Sequence, residues 1–308
     1  MTALILFGLL VAGFAGYISW AAHHIAHGAA AWWFIAGAPI AYFLPAMVFS
    51  TVWFTVTWIW RSPRPPEARL GIDGILRLFF GEVWALGVSW PLMALHSLLM
   101  HDPAPVRATL PVLLVHGVLV NDGMWFQFRR ALVARGIAPV YTMNYGPPYA
   151  DIEIFAEQLA AKIDSVCAAT GAQRVVLVGH SMGGLVSRTY LRRFGSDRVA
   201  KLITIGTPHH GSVLAWSFVG RGLEQMRPGN SWLVELNRDE NQSPPVPIIS
   251  IWSRHDSMVA PQASSVLACA ENVALVGVGH NALLGDARVV ERAAQEVNAA
   301  CATSPVSM

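Results

Sequence analysis

Apolar residues are unevenly distributed along this chain. Residues 3–22 form one unbroken apolar run and residues 31–60 a second, longer one. At about 1.5 Å per residue, each is long enough to cross the roughly 30 Å hydrocarbon core of a bilayer as a helix. Beyond residue 109 the pattern changes. Short runs rich in Val, Ile and Leu recur at 110–115, 140–144, 175–178, 199–205, 246–252 and 273–278, as buried strands require. Between them, 124–135, 152–169, the stretch after 184, and 287–299 carry helical spacing, with Gly136 and Gly171 closing the first two. Strands alternating with helices predict a mostly parallel, doubly wound α/β sheet covered on both faces.

The N-terminal runs read as a transmembrane helical hairpin over residues 1–60. Trp32, Trp33, Trp58 and Trp60 mark the ends of the second run, as an interfacial aromatic belt does. Pro39 and Pro45 predict a kink or a later start there. No basic residue precedes the first run and no small-residue cleavage site follows it, which predicts an anchor and not a removed signal peptide. His23, His24 and His27 read as a polar turn at the membrane face. Residues 61–109 read as a basic linker and an interfacial helix. Arg61, Arg64, Arg69 and Arg77 place this segment in the cytoplasm by the positive-inside rule. The apolar stretch 78–100 is interrupted by Glu82, Pro91 and His96, so it predicts a helix lying in the interface and not a third span. The expected location is the cell (inner) membrane, multi-pass, with the domain at 110–308 in the cytoplasm.

Composition narrows the functions. The chain is 54% hydrophobic and 13% charged, and a net charge of +2 gives no footprint for nucleic acid. Cys167, Cys269 and Cys301 have neither metal-site spacing nor a disulfide framework.

The chemistry centres on Gly179-His180-Ser181-Met182-Gly183, a G-x-S-x-G sequence between a strand and a helical pattern. A strand turning sharply into a helix exposes the Ser181 hydroxyl, and the helix N-terminus favours negative charge beside it. A nucleophilic serine needs a base, an acid that orients the base, and donors for the oxyanion. In a doubly wound sheet these groups must come from carboxyl ends of strands. His280 follows the 273–278 strand across Gly279, and Asp256 follows the strand ending at Trp252. The order Ser181, Asp256, His280 is the one expected of such a fold. His209 and His210 precede any suitable acid and read as pocket walls. His180 points away from the hydroxyl, and His116 reads as structural. The backbone N–H groups of Val118 and Met182 are the oxyanion-hole candidates. A small cap at 212–247 contributes Trp216, Phe218 and Val219 to a substrate pocket, with Trp125, Phe126 and His209 as further lining.

L-P-V-L-L-V-H-G at 110–117, V-G-H-S-M-G-G at 178–184, I-G-T-P-H-H-G-S at 205–212, R-H-D-S-M-V at 254–259 and G-V-G-H-N-A-L-L at 277–284 resemble the α/β-hydrolase superfamily. Within it they resemble the bacterial lipases and esterases. The N-terminal hairpin with Phe79-Phe80-Gly81-Glu82 resembles a membrane-attached proteobacterial branch. The resemblance implies Asp256 and His280 as acid and base. Larger secreted lipases of this kind carry a calcium-ligating aspartate two residues after the catalytic histidine. Ala282 stands there, so no metal and no cofactor are expected.

Together these readings imply a membrane-anchored serine hydrolase acting on acyl or lipid esters through an acyl-enzyme. Its partners are the substrate and the bilayer, with no nucleic acid. An acyltransferase or thioesterase with the same triad, and a non-catalytic membrane scaffold, remain as alternatives.

Overall fold

A computed structural model describes residues 2–303. Helices α1 (Thr2–Ala26), α2 (Ala31–Ile59) and α3 (Ile72–Ala94) come first, with a short α4 (His96–Leu99). Strand β1 (Val112–Val115) opens the second unit. It is followed by α5 (Phe126–Val133), β2 (Val140–Met143), α6 (Ile152–Thr170), β3 (Val175–His180), α7 (Met182–Phe194) and β4 (Val199–Ile205). Short helices α8 (Arg221–Gln225) and α9 (Ser231–Leu236) precede β5 (Ile248–Ser253), β6 (Glu271–Leu275) and α10 (Ala287–Thr303).

The strands form one parallel sheet in the order β2-β1-β3-β4-β5-β6. Alternate side chains feed two cores, as the pleat requires. Leu113, Val115 and Leu177 face α6 and α7, where Phe155, Leu159, Ile163 and Leu185 are buried. Val112, Leu114, Val176 and Val178 face the other way, onto Phe128 and Leu132 of α5 and Val289 and Val297 of α10. Each fully buried Leu, Ile, Val or Phe contributes about 1.5–3 kcal/mol by leaving water. Local signals set the boundaries of α6. Asp151 accepts the Glu153 N–H (2.9 Å) at one end, and Gly171 closes the other in the left-handed region at φ 72°.

The N-terminal helices are long and apolar enough to cross a membrane by length and composition, and this holds for α3 as well as α1 and α2. α2 is one continuous helix through Pro39 and Pro45. Tyr17 of α1 donates to the Phe34 carbonyl at 2.6 Å, which joins the first two helices. Tyr42 of α2 donates to the Gly87 carbonyl of α3 at 2.6 Å, with the Phe43 ring against Gly87.

These helices also dock on the sheet unit. Trp53 of α2 packs with Leu214 and Ala260, and its ring lies 5.4 Å from that of Phe218. The segment after α2 is tied down by Ser62, whose N–H donates to Gln262 Oε1 at 3.0 Å, and by Arg64, which donates to the Arg254 carbonyl at 2.9 Å. α3 starts six residues before the apolar stretch at 78–100, after Gly71 and with Asp73 in its first turn, and stops before His96. Its Glu82 is buried against the sheet unit, so the residue that interrupts the apolar pattern is a docking contact.

Candidate active site

β3 ends at the sharp turn that the sequence predicts. Ser181 has φ 55°, in the left-handed region that a non-glycine residue rarely occupies. The turn closes because its neighbours lack side chains. A Cβ at Gly183 would meet the Val115 carbonyl oxygen at 2.1 Å, and one at Gly179 would meet the Gly184 nitrogen at 2.6 Å. Met182 begins α7, so its N–H has no intrahelical partner. The Val118 N–H, in the loop after β1, meets no backbone acceptor among the described residues.

His280 and Asp256 come together as the strand order allows. The His280 Nδ1–H lies 2.9 Å and 3.0 Å from the two Asp256 carboxylate oxygens. One of those oxygens also accepts the N–H groups of Met258 (2.7 Å) and Val259 (2.8 Å). Both side chains are buried. Burial alone would lower the His280 pKa. The Asp256 charge and hydrogen bond, with a smaller contribution from Glu82, outweigh it and raise the pKa above 6.5. This leaves Nε2 available for other contacts. Ser181 and His280 line the same cavity, and no hydrogen bond joins them among the described residues. Catalytic contacts of this kind are often long without substrate and tighten in the substrate complex.

That cavity, about 370 Å³, holds the largest correction to the sequence reading. Its roof is not chiefly the 212–247 segment. Ile5 and Leu6 of α1, Phe49 of α2, and Leu86, Trp90 and Met93 of α3 line it, opposite Gly117, Val118 and Ser181. Phe218 is the one predicted pocket residue that lines it. Trp125 is fully buried in the core with Phe128, and Phe126 packs beside that core, so neither reaches the cavity. His209 is fully buried between strands, within 3.2 Å of Thr204 Oγ1 and 3.4 Å of Arg188. Trp216 and Val219 are exposed, with Arg227 over the Trp216 ring. These five were misplaced because apolar spacing near a site does not distinguish a pocket wall from core or surface. His180 also differs from expectation. Its ring centroid lies 4.6 Å from that of His280, it lines the cavity, and its Nε2–H donates to the His280 carbonyl at 3.3 Å. Burial first, and His280 next, hold its pKa well below 6.5. His116 does read as structural. Its Nδ1–H donates to the Gly117 carbonyl at 2.8 Å, and its ring stacks on Tyr145.

Sequence reasoning missed Glu82. Its carboxylate is 1% exposed and accepts from Ser257 Oγ (2.6 Å), Asn281 Nδ2 (2.8 Å) and the N–H groups of Asn281 (3.1 Å) and Ala282 (3.0 Å). The signal was a lone carboxylate in an apolar stretch, which costs too much to bury without partners. No group of metal-ligating side chains occurs among the described residues.

A parallel sheet with a strained serine turn and a histidine–aspartate pair at its carboxyl edge defines the α/β-hydrolase class of protein. A family model for the alpha/beta hydrolase fold matches residues 111–231. The chain is 40% identical over 147 residues to a triacylglycerol lipase of Burkholderia plantarii, covering 43% of this chain and 40% of that one. It is 35% identical over 144 residues to a triacylglycerol lipase of Vibrio cholerae, covering 46% and 43% respectively. The chain therefore spans about two-fifths of the length of these curated relatives. Among solved structures, Aspergillus fumigatus lipase B matches with a TM-score of 0.58 at 23% identity, over 67% of this chain and 57% of that one. Bacillus licheniformis lipase BlEst2 in its mature form matches with a TM-score of 0.53 at 19% identity, over 59% and 90%. These two likenesses concern the fold alone. In fold and in these matched segments the chain is similar to the α/β-hydrolase superfamily and, within it, to the bacterial lipases and esterases.

Proposed function

We propose that this protein is a membrane-anchored serine hydrolase that cleaves carboxylic esters of acyl lipids. The observation that carries the reading is a serine at a strained elbow and a histidine paired with a buried aspartate, both opening on one apolar cavity roofed by α1, α2 and α3. The triacylglycerol lipases among the relatives support an ester substrate.

In this mechanism His280 Nε2 takes the Ser181 proton as Oγ bonds to the ester carbonyl carbon. The resulting oxyanion is held by the N–H groups of Val118 and Met182. The imidazolium, stabilised by Asp256, gives its proton to the departing alcohol oxygen as the C–O bond breaks. Water then attacks the acyl-enzyme by the same route and releases the acid. The acyl chain lies along Leu86, Trp90 and Phe49, so the substrate enters from the helix side of the site. On this reading the chain divides into a hairpin (1–60), a linker with a docked helix (61–109) and a catalytic domain (110–308), and the arginines after α2 support a cytoplasmic position for that domain, with α1 and α2 as the spans.

Ester hydrolysis and fluorophosphonate labelling are to be measured for the wild type and for Ser181→Ala. Turnover and labelling are expected in the first and not in the second. Equal turnover in both would end the proposal. Protease protection of a C-terminal tag in intact cells tests the cytoplasmic placement.

A further inference from the structure

Glu82 is a carboxylate buried without a cationic partner. No ion pair includes it among the described residues, and its acceptors are filled by donors from two segments, Ser257 and Asn281–Ala282. Those segments flank the acid and the base of the proposed site. Ser257 follows Asp256, and its hydroxyl also accepts the His280 N–H at 3.2 Å. Asn281 and Ala282 directly follow His280. One carboxylate from α3 therefore fastens both sides of the imidazole. The close approach depends on Gly279, where a Cβ would lie 2.4 Å from Glu82 Oε2 and 2.7 Å from its Cδ.

Burying an ionised carboxylate costs several kcal/mol unless hydrogen bonds compensate, and an apolar residue here would suit both a membrane helix and a core. α3 also supplies Leu86, Trp90 and Met93 to the cavity wall. The helix thus touches the acyl side and the base side of the same site.

We propose that Glu82 is a positioning residue that clamps the His280 loop, so that the proton-transfer machinery is assembled only when α3 is docked. The proposal rests on the hydrolase reading above. It makes the N-terminal helices part of the active site and not merely an anchor. The groups facing His280 are Asp256 after β5, Glu82 on α3, and His180 and Ser181 at the elbow. Of the charges among them, Glu82 is the one supplied by the N-terminal helices.

The test uses the full chain purified in detergent. Turnover by wild type and its loss in Ser181→Ala first establish the hydrolase reading. An inactive wild type would sink that reading, and the clamp with it, before any Glu82 variant is read. Glu82→Gln keeps side-chain volume and removes the charge. It should lower kcat about 10- to 100-fold, leave KM within about twofold, and move the acid limb of the kcat/KM profile to lower pH. Val83→Ala, a truncation of a buried neighbour on the same helix, controls for simple destabilisation and should leave the acid limb in place. Unchanged kcat and acid limb in Glu82→Gln, or the same effects from Val83→Ala, would overturn the proposal. If Glu82→Gln does not fold, Ser257→Ala removes the hydroxyl shared by Glu82 and the His280 N–H. A fall in kcat at constant KM then supports the clamp, and an unaltered kcat overturns it.

Discussion

The His280 imidazole and the Asp256 carboxylate meet at 2.9 Å in a buried setting, at the ends of strands that neighbour each other in the sheet. In the proposed mechanism His280 must be neutral to take a proton, and this contact favours its charged form. Activity should therefore rise with pH through a value above 6.5. Asp256→Asn should lower kcat by about 10⁴-fold, because it removes the group that fixes the imidazole tautomer. A pH–rate profile of both proteins checks this. An acid limb below pH 6.5 in the wild type would contradict it.

The elbow makes a steric prediction. Gly183→Ala places a methyl group 2.1 Å from the Val115 carbonyl oxygen, against backbone that cannot move alone. Overpacking of this kind costs roughly 1–3 kcal/mol or more, so the melting temperature and activity should both fall. Gly285→Ala, which meets nothing within 4 Å, is the matched control and should change neither.

Cavity shape predicts chain-length preference. Trp90→Ala widens the wall that α3 presents to Ser181. Relative kcat/KM should shift toward longer or branched acyl chains, with short esters losing about tenfold, since a methylene in an apolar pocket is worth roughly 1–3 kcal/mol. Trp216→Ala, on the exposed side of the 212–247 segment, should leave the preference unchanged. A chain-length series with each variant distinguishes the two roofs.

Stability should depend on pH through groups of opposite sign. His116 is buried and held neutral, with burial driving its pKa down to about 4. Its contribution is present above pH 6.5 and is lost as the pH falls toward 4, on the order of 3 kcal/mol in full. His280 runs the other way. Its raised value stabilises the folded state below pH 6.5, and that contribution is lost as the pH rises through the folded value. His116→Asn should flatten the decline in melting temperature between pH 6.5 and 4. An unchanged slope in that variant would refute the assignment.

Much of the sheet unit was legible because its signals are local. The strand at 199–205 is found as read, and the capping pair Asp151 and Gly171 bounds α6 within one residue of expectation. The last strand is shorter and earlier than the run 273–278. It ends at Leu275 because Gly277 turns the chain at φ 76° and Val278 becomes the acceptor for Ser253 Oγ. Hydropathy alone does not register such a turn. Trp125 illustrates a different failure. Proximity to the loop after β1 suggested a pocket wall, while packing against Phe128 places it in the core.

The order of elements, the elbow at Ser181 and the residues at strand ends follow from local sequence, because backbone sterics and hydrophobic periodicity act over a few residues. That Glu82 reaches Ser257 and Asn281, and that Ile5, Leu6 and Trp90 roof the cavity instead of Trp216, follows from the packing of the folded chain. The Glu82 contacts join residues 175 and 199 positions apart. They depend on how α3 settles on the sheet unit, and no local pattern of apolar and polar positions encodes that docking.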